Sequence, residues 1–211
     1  MVEIVWVCIT DYAGREEALW QLLAERERGL VAQQKRPQDR LCRLVSYGVL
    51  KLLLAERTGK ALNELSIARE DGKKPYLEDS VAEFFSVSHS GEWICYALGG
   101  ELPVGIDIEA MRPIEELASI VESCFSEEEK KAFASASDQH SYFYTVWCSK
   151  EAYLKGIGRG IATDLTAINT EACSIDSWHL HKQWAPPIYR AVLAVPHADP
   201  VCHYRLYPTN N

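Results

Sequence analysis

The sequence contains no apolar run near the ~20 residues a membrane-spanning helix requires, so no membrane span is expected. Its first residues carry no basic segment, and Glu3 stands where one would be, which argues against a signal peptide. Positive charge is short: 22 Lys and Arg face 30 Asp and Glu, and the net charge of −8 argues against non-specific binding to nucleic acid. A small polyanion stays open as a ligand, since basic residues can cluster locally. The seven cysteines include no C-x-x-C pair, and their number is odd. Cys8, Cys95, Cys148 and Cys202 sit among apolar or aromatic neighbours, which reads as reduced, buried thiols in a cytoplasmic setting. There is no G-x-x-x-x-G-K-[ST] phosphate loop and no H-E-x-x-H. Gly156, Gly158 and Gly160 end a helical stretch instead of opening one, so they form no dinucleotide fingerprint. His179 and His181 alternate as strand ligands would, without a third ligand in view. Ser88-His89-Ser90 lacks the elbow that surrounds a hydrolase nucleophile; His89 reads as a turn residue near phosphates, or as a plain surface turn.

What remains is an ordinary globular composition, 47% hydrophobic and 25% charged over 211 residues. Residues 4–9 read as a buried strand. Residues 16–28 read as a helix with Leu19, Leu22 and Leu23 inward and Gly29 closing it. Asp39 is expected to cap a long helix that runs to about Arg57, decorated by Arg40, Arg43 and Lys51, with Gly59 beyond its end. A short strand near 67–69 and a lysine-bearing turn at 70–75 follow, then strands over 84–88 and 93–98. The second half repeats the order: a strand at 103–108, helices near 114–123 and from Ser126, a long helix over 138–155, and strands near 165–170, 177–182, 189–195 and 202–207. Ser126 with Glu129 spells a capping box. Strands grouped after helices predict an α+β fold with antiparallel sheets. Two similar α+β subdomains, 1–102 and 103–211, are expected to meet near Gly99–Pro103 with a site in the cleft between them.

Two stretches look made for each other. Val104-Gly105-Ile106-Asp107-Ile108-Glu109 alternates, so it places three apolar side chains on one face of a strand and two carboxylates on the other, their Cα atoms roughly 6.6 Å apart. On Trp147-Cys148-Ser149-Lys150-Glu151-Ala152-Tyr153-Leu154-Lys155, residues 147, 151 and 155 form one helical stripe. If strand and helix face each other, Asp107, Glu109 and Glu151 make an all-oxygen site suited to Mg²⁺, and Lys155 meets the phosphates such an ion carries. Placed on a polar strand face, Asp107 should be replaceable without loss of the fold. The bland alternatives are a wet strand face and a surface Glu–Lys pair.

These two stretches resemble the signature pair of the 4′-phosphopantetheinyl transferases. Phe85-Ser-Val-Ser88-His89-Ser90 resembles that family's element just upstream, and Gly72-Lys-Lys74-Pro75 the one before it. Arg43, three residues before Ser46, resembles a further basic position, and Cys124-Phe125-Ser126 with Glu129 the stretch between the signatures. The resemblance spans roughly residues 20–165. The length and layout are similar to the monomeric surfactin-synthetase-activating (Sfp) type. Where Ser86 stands the family usually has Asn, Arg26 and Arg28 align only loosely, and the last 45 residues carry no such motif.

The resemblance implies a cytoplasmic, Mg²⁺-dependent holo-[acyl-carrier-protein] synthase that uses coenzyme A as donor and an apo acyl or peptidyl carrier protein as acceptor. It implies Asp107, Glu109 and Glu151 as metal ligands. It casts Glu151 as general base with Lys155 and His89 also catalytic, and Arg43, Lys74, Ser88, His89, Lys150 and Lys155 as coenzyme A contacts. The alternatives are another Mg²⁺-dependent enzyme acting on a nucleotide pyrophosphate, and a non-catalytic binding module whose acidic strand is a solvated edge.

Overall fold

The computed structural model describes residues 1–69, 74–78, 83–159 and 164–207. In chain order the first part holds strand β1 (Val2–Cys8), helices α1 (Glu16–Leu22), α2 (Glu25–Ala32) and α3 (Pro37–Thr58), then strands β2 (Ile67–Ala68), β3 (Tyr76–Leu77), β4 (Phe84–Ser90) and β5 (Trp93–Gly100). The second part holds β6 (Gly105–Ala110), α4 (Leu117–Cys124), α5 (Glu127–Ser135), α6 (Gln139–Gly156), β7 (Ser174–Ile175), β8 (Trp178–Lys182), β9 (Tyr189–Val195) and β10 (Cys202–Leu206).

The continuous apolar run of β1 is explained by burial on both faces. Val5 and Val7 join the core under α1, α2 and α3, while Ile4 and Trp6 face the other way. There they meet Ile106, Ile108 and Leu193 of a second sheet. The first sheet runs β10-β1-β5-β4 and the second β6-β9-β8-β7, with β2 and β3 paired apart. Beyond the second sheet, Cys148, Ala152 and Leu154 of α6 pack on Val192 and Ala194, and α4 packs against α6. The result is α+β in layers: helices, sheet, sheet, helices. The two four-stranded sheets are not divided cleanly between 1–102 and 103–211, because β10 leaves the second part and pairs in parallel with β1.

Local chemistry explains the departures from the sequence pattern. The helix expected over 16–28 breaks at Leu23, which is extended and buried. Glu27 restarts it by accepting the Ala24 N–H at 2.7 Å, so Gly29 lies inside α2. Lys51 does not decorate the surface; it is buried against Glu27 at 3.3 Å and ties α2 to α3. The long helix begins at Pro37, whose missing N–H costs nothing in the first turn. It ends on Gly59, whose φ of +69 suits a left-handed C-cap. The expected strand at 165–170 is instead a 3₁₀ turn at Leu165–Ala167, because two of its carbonyls turn inward to a buried lysine described below. Ser126 and Glu129 form the expected capping box, and Asp138 caps α6 by accepting the Ser141 N–H at 2.9 Å. Of the turn at 70–75, only Lys74 and Pro75 are among the described residues, and Gly160 also lies outside them.

Candidate active site

Two features position the carboxylate strand: its close contact with the helix that faces it and a seam that joins it to β4. A Cβ on Gly105 would fall 1.9 Å from the Ala152 carbonyl oxygen and 2.4 Å from the Gly156 nitrogen. Glycine therefore lets β6 lie directly on the backbone of α6. This contact brings Glu151 and Lys155 over the polar face of β6, where Asp107 and Glu109 stand.

The second feature is a seam of three serines on β4. Ser86 Oγ accepts the Ile106 N–H at 3.1 Å. Ser88 Oγ donates to Asp107 Oδ1 at 2.8 Å, and Ser90 Oγ to Glu109 Oε2 at 2.8 Å. His89, expected in a turn, is on this strand, and the turn itself is made at Gly91 with φ +58. The buried Ser86 supplies a bond across the seam with no amide side chain at that position.

Ser86 and Ser88 of the seam line a cavity of about 580 Å³ together with the side chains that the glycine contact brings over β6. Its acidic side is Asp107, Glu109 and Glu151; its basic side is Arg43 of α3, Arg69, Lys74, Lys155 of α6, and Arg159. Trp147, Ser88 and His89 also line it. The local basic cluster expected for an anionic ligand on an acidic chain is thus present, and it draws on both parts of the chain. Sequence reasoning missed Arg69 and Arg159. The signal for Arg159 was its place in Gly158-Arg159-Gly160, just past the signature helix.

The electrostatics are crowded. Lys155 Nζ lies 2.6 Å from Asp107 Oδ1 and 2.9 Å from Ser88 Oγ. Burial is the largest influence on Lys155 and lowers its pKa, but the charge and hydrogen bond of Asp107, together with the Glu151 charge and Cys148, outweigh it and the net shift is upward. Glu109 and Glu151 are both pushed above the usual carboxylate range, first by burial and then by the Asp107 charge. Burial lowers Lys74 to about 8; its ammonium donates to the Val104 carbonyl at 3.1 Å. His89 is shifted down, first by surrounding protein and then by Lys155 and Arg43.

Whether these residues suit a divalent cation is decided by their oxygens. Among the described residues, no three His, Cys, Asp or Glu groups stand close enough to hold an ion as they are. Asp107 Oδ2 and Glu151 Oε1 are nevertheless buried and accept no hydrogen bond among the described residues, which is costly for carboxylates. Two orphaned carboxylate oxygens beside a third acid make a hard, all-oxygen donor set that fits Mg²⁺. Asp107 is 2% exposed, so the polar face of β6 on which it was expected is a buried one, and the bland alternative of a wet strand face does not describe it.

Lys150 is not in this cavity. It leaves α6 on another side, is 1% exposed, and donates to the carbonyls of Cys124, Leu165 and Ile168 at 2.8, 2.7 and 2.7 Å. It also pairs with Glu129 Oε2 at 2.6 Å. Glu129 in turn accepts from Thr170 N and Oγ1 at 2.9 and 2.8 Å. A lysine with that many partners holds α5, α6 and the 165–170 segment together and has no donor left for coenzyme A.

Two family models match the chain: "4′-phosphopantetheinyl transferase, N-terminal" over residues 14–100, and "4′-phosphopantetheinyl transferase superfamily" over residues 103–195. Among curated relatives, the 4′-phosphopantetheinyl transferase psf-1 of Bacillus pumilus is 32% identical over 126 residues, 59% of this chain and 53% of that protein. The 4′-phosphopantetheinyl transferase Sfp of Bacillus subtilis (strain 168) is 30% identical over 109 residues, 51% of this chain and 47% of that protein. The chain thus spans about half the length of each of these two relatives. Of solved structures, the Thermotoga maritima holo-[acyl-carrier-protein] synthase aligns with a TM-score of 0.36 and 18% identity, over 44% of this chain and 62% of that one. With one family's models matching on both sides of residues 101–102, the chain belongs to the 4′-phosphopantetheinyl transferase superfamily. Among the described residues no helix is long and apolar enough to cross a membrane.

Proposed function

We propose that the chain transfers the 4′-phosphopantetheine arm of coenzyme A to a serine of an apo acyl or peptidyl carrier protein, as a cytoplasmic, Mg²⁺-dependent enzyme of the Sfp type. The observation that carries this reading is one cavity lined by three carboxylates and five cations, in a chain that belongs to this superfamily. Asp107, Glu109 and Glu151 would hold Mg²⁺, which when bound would supply charge neutralisation at the pyrophosphate. Lys155, Arg43 and Lys74 hold phosphate oxygens of coenzyme A, with His89 and Ser88 beside them, and Arg69 and Arg159 extend the basic side. Phosphoryl transfer needs alignment and charge stabilisation more than covalent help, and this lining offers both. The carrier serine oxygen bonds to the β-phosphorus. The bond from that phosphorus to the bridging oxygen breaks, 3′,5′-ADP leaves with the electron pair, and the serine proton passes to Glu151. In this scheme residues 1–102 contribute mainly phosphate contacts and residues 103–211 the carboxylates and the helix that bears the base. Release of 3′,5′-ADP tests the reaction class: a transferase forms it from coenzyme A and Mg²⁺ only when apo carrier protein is present, whereas a pyrophosphate hydrolase forms it without a carrier.

A further inference from the structure

Ser88 and Ser90 alternate on β4 as Asp107 and Glu109 alternate on β6, and each serine serves the carboxylate 19 positions further on. The two serines do different things. Ser88 lies in the cavity wall and touches Lys155 as well. Ser90 stands behind Glu109 and makes two bonds to neighbouring residues of β6. Its Oγ accepts the Ala110 N–H at 3.0 Å and donates to Glu109 Oε2 at 2.8 Å. A hydroxyl has one proton and two lone pairs. The Ala110 N–H can only donate, so it takes a lone pair and fixes Oγ against the strand; the proton then goes to Glu109. The carboxylate is thereby tied to the backbone of its own strand through a residue of the other sheet.

Glu109 needs such a tie. It is a long, flexible side chain that gives up rotamer freedom when it is ordered, and it stands beside the like charge of Asp107. We propose that Ser90 is a positioning residue, which sets the Glu109 carboxylate for a divalent cation apart from its share in joining the two sheets. The proposal rests on the reading of Asp107, Glu109 and Glu151 as the cation site. Outer partners of metal-binding carboxylates commonly account for 10–100-fold of metal affinity, and that is the effect expected here.

The test is binding of Mn²⁺, a paramagnetic stand-in for Mg²⁺, followed by electron paramagnetic resonance on the whole chain without coenzyme A. Wild type, Ser90→Ala, Ser90→Thr and Ser86→Ala are compared, each with its melting temperature. Ser86 gives a backbone bond across the same seam but touches no carboxylate, so Ser86→Ala reports what a weakened seam does alone. The expected result is Mn²⁺ binding by wild type, about 10–100-fold weaker binding by Ser90→Ala, recovery by Ser90→Thr, and a lowered melting temperature with unchanged Mn²⁺ affinity for Ser86→Ala. Equal affinity of Ser90→Ala and wild type overturns the role of Ser90 and leaves the cation site standing. An equal loss in Ser86→Ala reduces Ser90 to a seam residue and overturns the proposal. Absence of Mn²⁺ binding by the wild type overturns the cation-site reading and the proposal together.

Discussion

Lys155 Nζ and Asp107 Oδ1 are 2.6 Å apart, so the ammonium that the sequence assigns to phosphate and the carboxylate it assigns to metal are each other's partners. Asp107 is almost wholly buried, and removing one member of a buried pair leaves the other charge uncompensated, a loss typically of about 3–5 kcal/mol. Lys155→Met should therefore lower stability by an amount near the bottom of that range, because Lys155 is itself partly exposed. It should also weaken coenzyme A binding by about one to two decades. Chemical denaturation and calorimetry read the two effects. Unchanged coenzyme A affinity removes Lys155 from the phosphate site.

Asp107→Ala should abolish Mg²⁺-dependent transfer and also lower the melting temperature, since Lys155 and Ser88 both lose a partner. Transfer rate and melting curve measured on one preparation decide the matter. An unchanged melting temperature would contradict the pairing.

Glu151→Gln separates stability from rate. Burial and the Asp107 charge raise the Glu151 pKa, so the folded state binds this proton more readily than the unfolded chain. Stability then falls as pH rises from the unfolded value, about 4.3, through the raised folded value, and the full penalty stands above it. The Gln variant should melt higher than wild type at pH 8, and the gain should vanish as the pH is lowered past that window. Its transfer rate should fall by at least about 10²-fold at saturating Mg²⁺ if Glu151 takes the serine proton. A full rate restored by Mg²⁺ makes Glu151 a ligand only.

Lys74 is held near a pKa of about 8 by burial, so it loses its charge as pH rises through that value. Coenzyme A affinity should decline on the alkaline side of pH 8 in wild type and decline less in Lys74→Arg, whose guanidinium stays charged. Calorimetry across pH 7–9 checks this; identical profiles would take Lys74 out of the phosphate contacts.

Lys150→Met strips Glu129 of its cation and leaves three carbonyls without their donor. The expected loss is about 3–5 kcal/mol, read by denaturation, with the coenzyme A affinity of the remaining folded protein unchanged. A specific loss of that affinity would return Lys150 to the cavity.

The fold class and the pairing of β6 with α6 were legible because both rest on periodicity. Alternation in 104–109 and the stripe of 147, 151 and 155 say which side chains share a face. The same stripe leaves Lys150 off the face that meets the cavity; Lys150 is assigned to coenzyme A by the resemblance of the whole signature segment, which does not separate its cavity-facing positions from its buried structural ones. The break at Leu23 and the 3₁₀ turn at 165–167 depend on bonds from Glu27 and Lys150, and only the latter spans distant sequence. The pairing of β10 with β1 joins the two ends of the chain, a contact that no local pattern encodes. Ser90 read as part of a turn because its partners, Glu109 and Ala110, lie on another strand.

The most direct test is the intact mass of apo carrier proteins incubated with this chain, coenzyme A and Mg²⁺, with a chelator arm and an Asp107→Ala arm alongside. The account predicts that at least one acyl or peptidyl carrier protein gains one phosphopantetheine on its serine, only in the wild-type arm with Mg²⁺. Carriers left unmodified across a broad panel, or modified equally in the chelator and Asp107→Ala arms, would contradict it.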